Sequence, residues 1–553
     1  MRYARLPLRV AAVAAAVASL AAARAEDAAP PECGALADPV RVDGGRITGS
    51  ACGAGRDVRV YKGIPYAAPP VGDLRWKPPQ PVASWEGVRA CVEFGPWCPQ
   101  PKPMMGRELG TLSEDCLSLN VWTAAPARDA KRPVMVWIHG GGFTTGSGAA
   151  AVYDGETLAR EGAVVVTINY RLGPFGCLAH PLLSKESPRG VSGNYGLLDQ
   201  IEALRWVRRN IAAFGGDPGC VTIFGESAGS ASVCRLMVSP LAEGLFHRAI
   251  AQSGGAHGQN RHLRERREGL EPMESVGEGI ARALGCDAAA DPLAALRAKS
   301  ADEILAASSP AQGLFGKGTK FGPVVDGWAL PDDPGLLWEQ GRHAKVPFLS
   351  GTNADEGTIF LQQLTIRTVA AYELTARGLF REEAGALLRL FPAATDAEVP
   401  RALSQVVGVA SFVSPARVLA RCSARGGAPT WLYHFTRVPE SPLLRRLGAF
   451  HGLEIAYVFG TVSGGGAGRL AFGEKDRALS RTMRACWLGF ARTGDPKGPG
   501  LPAWPAYAEA SDRHLVLGET VEAGAGLHRE ACDAIDRARR KRSGGDLRPD
   551  PGQ

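Results

Sequence analysis

The sequence predicts an α/β fold, a central and mostly parallel sheet with helices on both faces, and three observations carry that prediction. Short runs almost continuous in apolar residues recur from residue 134 onward. A long segment of helical periodicity lies between two of them. Each run ends in a turn or loop signal. Strands without a polar alternation are buried on both faces, and helical crossovers are what join parallel strands and cover them.

In chain order, the strand-like runs are VMVWIHG (134–140), AVVVTINY (163–170), CVTIFG (220–225), AIAQSG (249–254), VPFLSG (346–351) and TWLYHF (430–435). Their length and apolar, partly β-branched composition fit buried strands rather than helices. Between the second and third lies LLDQIEALRWVRRNIAAFGG (197–216), where Leu197, Ile201, Leu204 and Ile211 fall at helical spacing and Gly215-Gly216 supplies the stop.

The chain has 553 residues, with 22% charged and 45% apolar, which suits a globular protein with a sizeable core. Residues 1–25 read as a secretory leader cleaved after Ala25: Arg2, Arg5 and Arg9 precede an Ala/Val/Leu run too short to span a bilayer, which ends in Ala23-Arg24-Ala25. Export, to a periplasm or the medium, is the expected localisation, with no stable membrane anchor. Residues 26–536 are expected to form one catalytic domain and 537–553, which carry six basic and two acidic residues, a disordered tail. The net charge of +7 belongs to those ends, since the leader adds four arginines and no acid. The body is close to neutral, so no electrostatic case exists for nucleic acid. Of twelve cysteines, Cys98 and Cys116 bracket a polar loop and form the best disulfide pair, with Cys33 and Cys52 a second candidate. Cys177, Cys220 and Cys234 lie in apolar or turn contexts that suit free thiols.

The chemistry begins at GESAGS (225–230). Ser227 follows an apolar strand and precedes a helical segment, flanked by Gly225 and Gly229. A nucleophile on such a sharp turn needs small neighbours, and the helix N-terminus aims free N–H groups at the place where an oxyanion develops. HGGGF (139–143) follows another strand and offers backbone N–H groups without side-chain obstruction, with Ala228 N–H as a further donor. The base is expected late in the chain. His434 sits inside a strand, His514 begins HLVLG, His528 lies in a polar helical segment, and His451 alone lies in a loop-like turn, GAFHGLE. The acid is expected at the end of VPFLSGTNADEG (346–357), where Asp355 and Glu356 are adjacent and equally eligible. With no H-E-x-x-H, no C-x-x-C pair, no P-loop and no strand-linked G-x-G-x-x-G, neither metal nor cofactor is expected.

GESAGS, HGGGF, SEDCLSLNVW (113–122), YKGIPYAAPPVGDLRWKPPQP (61–81), FGGDPG (214–219), GTNADEG (351–357) and HGLEIAYVFG (451–460) together resemble the type-B carboxylesterase/lipase family, which includes cholinesterases and bacterial p-nitrobenzyl esterases. The resemblance runs from about residue 40 to 535 with the motifs in family order. It implies an α/β-hydrolase fold, a triad of Ser227, Glu356 and His451, and oxyanion donors at Gly141, Gly142 and Ala228. The implied reaction is hydrolysis of a small-molecule ester through an acyl-enzyme, and Glu226, next to the nucleophile, is expected to tune the local field.

Counting back from FGPVVDG (321–327), the two rings that tighten the acyl pocket of cholinesterases fall at Lys317 and Thr319, neither aromatic. The segment PMMGRELGTLSED (103–115) offers no tryptophan to stack on a quaternary ammonium group, so a choline ester is not expected. The short polar loop between Cys98 and Cys116 suits soluble short- to medium-chain esters better than emulsified fat. Lys317 and Lys320 would favour an acyl group bearing a carboxylate, if they are more than surface lysines. A competing class is the non-catalytic, cholinesterase-like adhesion protein, but such relatives typically lose a triad member and this chain keeps all three. Oligomeric state is not readable from the sequence.

Overall fold

The computed structural model describes residues 39–102, 109–258, 260–463 and 472–542. The expected leader and its cleavage site, Cys33, and the end of the basic tail lie outside the described residues.

Eleven strands form the main sheet: β1 (Ser50–Cys52), β2 (Val58–Pro65), β3 (Ser118–Thr123), β4 (Arg132–Ile138), β5 (Val164–Ile168), β6 (Gly216–Glu226), β7 (Arg248–Gln252), β8 (Phe348–Asn353), β9 (Thr430–Phe435), β10 (Arg513–Leu517) and β11 (Val521–Ala525). Their spatial order is β11-β10-β9-β8-β7-β6-β4-β5-β3-β2-β1. Every pair from β10 to β5 is parallel, and antiparallel strands close both edges. All six predicted strands are therefore present in the parallel centre. A small sheet of Val40–Val42, Gly45–Thr48 and Val88–Ala90 lies apart from it.

Strand alternation sorts the core into two layers. Val134, Val136 and Ile138 of β4 join one cluster, which holds Leu197, Ile201 and Leu204 of helix α1 (Tyr195–Asn210) and Val233 and Leu236 of helix α2 (Ala228–Leu236). Met135 and Trp137 point the other way, against Tyr457 and Phe459 of helix α3 (Glu454–Phe459) and Met483, Trp487 and Phe490 of helix α4 (Glu474–Thr493). Helix α1 passes into a 3-10 turn that ends on Gly215, left-handed at φ 79°, as the Gly-Gly stop predicts.

Helix α5 (Arg529–Arg542) corrects the boundary of the tail, because it continues through Arg542. Ala531, Cys532, Ile535 and Ala538 form one face and pack into a third cluster with Leu403 and Leu432. In the sequence, the run of basic residues masks that 3.6-period face. The cations of the helix find partners as well: exposed Arg537 pairs with Glu383, half-buried Arg539 with Glu339 and exposed Lys541 with Glu382. Cys98 and Cys116 form a disulfide, with Cα atoms 5.1 Å apart. Cys52, Cys177, Cys220 and Cys234 form no disulfide among the described residues.

Candidate active site

The carboxyl ends of β6, β7 and β8 lie side by side and carry the polar cluster. Strand β6 ends at Glu226, helix α2 starts at Ala228, and Ser227 between them stands at φ 58°, ψ −120°. A non-glycine residue held there costs of order 1–3 kcal/mol, which the surrounding structure must overcome. It is held by Ser227 N–H donating to Gln252 O at 2.9 Å and Ala231 N–H donating to Ser227 O at 2.9 Å. A Cβ on Gly225 would stand 2.6 Å from the Gly229 carbonyl carbon, and one on Gly229 would strike the Ile138 carbonyl. Both glycines are thus required by close backbone approach, as the flanking pattern implies.

The loop after β4 lies directly against this turn, since a Cβ on Gly140 would come 3.2 Å from Ser227 Cβ. Gly141 and Gly142 have φ of 111° and 63° and are exposed. Among the described residues nothing accepts from the N–H groups of Gly141, Gly142 or Ala228. Three donors without acceptors among the described residues thus lie on the turn of Ser227 or on the loop packed against it.

His451 is buried, and its Nδ1–H donates to Glu356 Oε2 at 2.6 Å. The other oxygen of Glu356 accepts from Asn353 N–H at 2.7 Å, which fixes the carboxylate at the end of β8. Asp355 serves elsewhere: its Oδ2 accepts from Ala449 N–H at 2.8 Å, and its own N–H donates to Ala449 O at 3.0 Å. The adjacent acids therefore divide the work, one holding the imidazole and the other pinning the loop that carries it. His434, His514 and His528 form a separate group, with ring centroids 6.2 to 6.5 Å apart.

With Nδ1 committed, His451 Nε2 is the free nitrogen, and it lies 3.1 Å from Glu226 Oε1. Because Glu226 immediately precedes Ser227, this places the free nitrogen at the serine's own turn. Burial opposes the imidazolium, but the carboxylates of Glu226, Glu356 and Glu454 overcome it and hold His451 above the ordinary histidine range. Burial likewise pushes Glu226 above the ordinary carboxylate range, against the pull of His451. Neutral His451 is the form able to accept a proton, so activity requiring it falls on the acid side of that raised pKa. Glu226→Gln removes the largest of the raising charges, and the acid limb of kcat/KM should move down by about one pH unit; an unmoved limb would show that Glu226 does not set it.

Several neighbours carried no sequence signal. Glu454 is fully buried and accepts from Asn353 Nδ2 at 2.6 Å and Gln252 Nε2 at 3.1 Å, and Trp487 Nε1 donates to Gln252 Oε1 at 3.1 Å. Phe412 and Phe360 flank the imidazole at centroid distances of 4.5 and 5.2 Å. Phe412 belongs to a π-helical turn, Val409–Val413, the kind of local distortion that re-aims a side chain at a site. Lys317 is exposed, Thr319 spends its backbone pairing with Ser309 and Ala311, and Lys320 Nζ donates to Leu314 O at 3.0 Å. Among the described residues no hydrogen bond or ion pair joins these three to Ser227, Glu356 or His451.

The profile of the carboxylesterase family matches residues 37–535. The chain belongs to the carboxylesterase family. This carboxylesterase is 40% identical over 487 residues to the fumonisin B1 esterase of Sphingopyxis macrogoltabida, covering 87% of each chain. It is 38% identical over 480 residues to the para-nitrobenzyl esterase of Bacillus subtilis (strain 168), covering 83% of this chain and 91% of that one. A solved PNB esterase structure superposes with a TM-score of 0.76 at 34% identity, over 90% of this chain and 100% of the other. The fold is thereby the α/β-hydrolase fold, and the carboxylesterase hydrolyses small-molecule esters.

Proposed function

We propose that the enzyme is a serine esterase acting through an acyl-enzyme on short- to medium-chain soluble esters, with Ser227 as nucleophile, His451 as base and Glu356 as its orienting acid. The observation that carries this reading is the 2.6 Å contact of His451 Nδ1 with Glu356, which turns Nε2 toward the strained Ser227 turn. In the first half-reaction Ser227 Oγ bonds the acyl carbon while its proton passes to His451 Nε2. The oxyanion is held by N–H groups of Gly141, Gly142 and Ala228, each worth roughly 3–4 kcal/mol in the transition state. His451 then protonates the departing alcohol, and water repeats the sequence to release the acid.

Hydrolysis rates on p-nitrophenyl acetate, butyrate and palmitate test the chain-length assignment. Acetate and butyrate should be turned over readily and palmitate poorly, and a palmitate preference would replace the soluble-ester reading with a lipase. Fumonisin B1 and p-nitrobenzyl esters, for which the relatives are named, are the first non-standard substrates to assay. Export is part of the proposal, supported by the charged, apolar and small-residue pattern of residues 1–25. A mature N-terminus other than Glu26 in exported protein would contradict the cleavage site.

A further inference from the structure

Six arginines are buried among the described residues, and five of them clamp a carboxylate: Arg75 with Glu114, Arg171 with Asp199, Arg417 with Asp512, Arg437 with Asp476 and Arg484 with Glu161. Arg235 is the exception. It lies two turns into helix α2, and its side chain doubles back toward Ser227, with Nη1 donating to Ala231 O at 2.9 Å. Nη2 donates to Asn260 Oδ1 at 2.6 Å, and the buried Nε has no acceptor. An acid, Asp333, is reached through the amide of Asn260, whose Nδ2 donates to Asp333 Oδ2 at 2.8 Å, and its other oxygen caps the helix Pro334–Glu339. A buried cation with no direct counter-ion is costly, so its position matters.

That position is beside the glycine loop that follows β4. The Arg235 guanidinium carbon lies 5.6 Å from the ring centroid of Phe143, the residue immediately after Gly141-Gly142. Phe143, Ala231 and Ser227 are all partly exposed. His451 protonates the departing alcohol, which places the alcohol on the side lined by Phe360 and Phe412. The acyl substituent must then run past the oxyanion glycines toward Phe143 and Ala231. We propose that Arg235 recognises a carboxylate on the acyl portion of the substrate, so that the preferred substrates are half-esters of dicarboxylic acids. The substrate carboxylate displaces the edge of the Phe143 ring and accepts from Arg235, supplying the counter-ion that the fold withholds. This inference rests on the reading of Ser227 as nucleophile, and it replaces Lys317 and Lys320, which the structure holds elsewhere, as the source of such a preference.

The test compares monomethyl glutarate with methyl valerate, its uncharged counterpart, in wild type and in Arg235→Met. Wild type should favour the half-ester in kcat/KM by at least about tenfold, and the ratio of the two esters should fall by about 30-fold or more in the variant, the effect of losing a charge-assisted contact. A ratio that Arg235→Met leaves unchanged, or a wild-type preference for methyl valerate, would overturn the proposal. If the variant does not fold, inhibition of wild-type p-nitrophenyl butyrate hydrolysis decides. Free glutarate should inhibit at concentrations at least about tenfold below those of valerate, and equal inhibition would overturn it. Failure of folded wild type on p-nitrophenyl butyrate as well would instead remove the serine-esterase reading on which the proposal stands.

Discussion

Ser227→Ala should lower kcat on p-nitrophenyl butyrate by about 10⁶-fold, to the residue of rate that binding and the oxyanion donors alone supply. The size of the loss follows from the geometry. Ser227 is the strained residue between strand β6 and helix α2, the Gly140 backbone is packed against it, and the free nitrogen of His451 faces its turn. The substitution removes one oxygen from a partly exposed side chain, so the fold should be unaffected and the thermal transition should coincide with wild type. A loss of tenfold or less, with folding intact, would require a different nucleophile.

Glu356→Gln should cost about 10⁴-fold in kcat with KM little changed. The carboxylate accepts the Nδ1 proton of His451 and is itself anchored by Asn353 N–H, which fixes the tautomer with Nε2 unprotonated and ready to act as base. A glutamine can turn its NH2 group toward Nδ1, which selects the opposite tautomer and puts the proton on Nε2. The substitution also removes the charge that faces the Nδ1 side of the imidazolium formed during reaction. Kinetics on p-nitrophenyl butyrate over the pH range where wild type is active measure both effects. An effect below about tenfold would place the orienting role on another of the buried carboxylates, Glu226 or Glu454.

The parallel centre of the sheet was legible because β4, β5, β6, β7, β8 and β9 are short apolar runs ending in turn residues, and nothing in their surroundings contradicts the local pattern. Ser227 and the glycine loop were legible for the same reason, since a strand, a glycine-flanked serine and a helix are contiguous in the chain. The choice between Asp355 and Glu356 was not. Both sit just past the end of β8, and which one meets the imidazole depends on how the loop bearing Ala449 and His451 docks, with His451 lying 95 residues beyond Glu356 in the chain. The buried acid Glu454 was missed because its partners, Asn353 and Gln252, are 101 and 202 residues away in sequence. Phe412 escaped notice because a helical pattern places it on the helix surface without revealing the π-helical turn that puts it beside His451. The tail failed in the opposite sense, since a run of basic residues masked the apolar face of helix α5.

The most direct test of the central claim is to quench the enzyme during turnover of p-nitrophenyl butyrate at low pH and map any added mass by peptide mass spectrometry. The account predicts a butyryl group on the peptide containing Ser227, accumulating with the burst of p-nitrophenol and absent from Ser227→Ala. Rapid turnover with the burst intact and the butyryl group on another residue would contradict it.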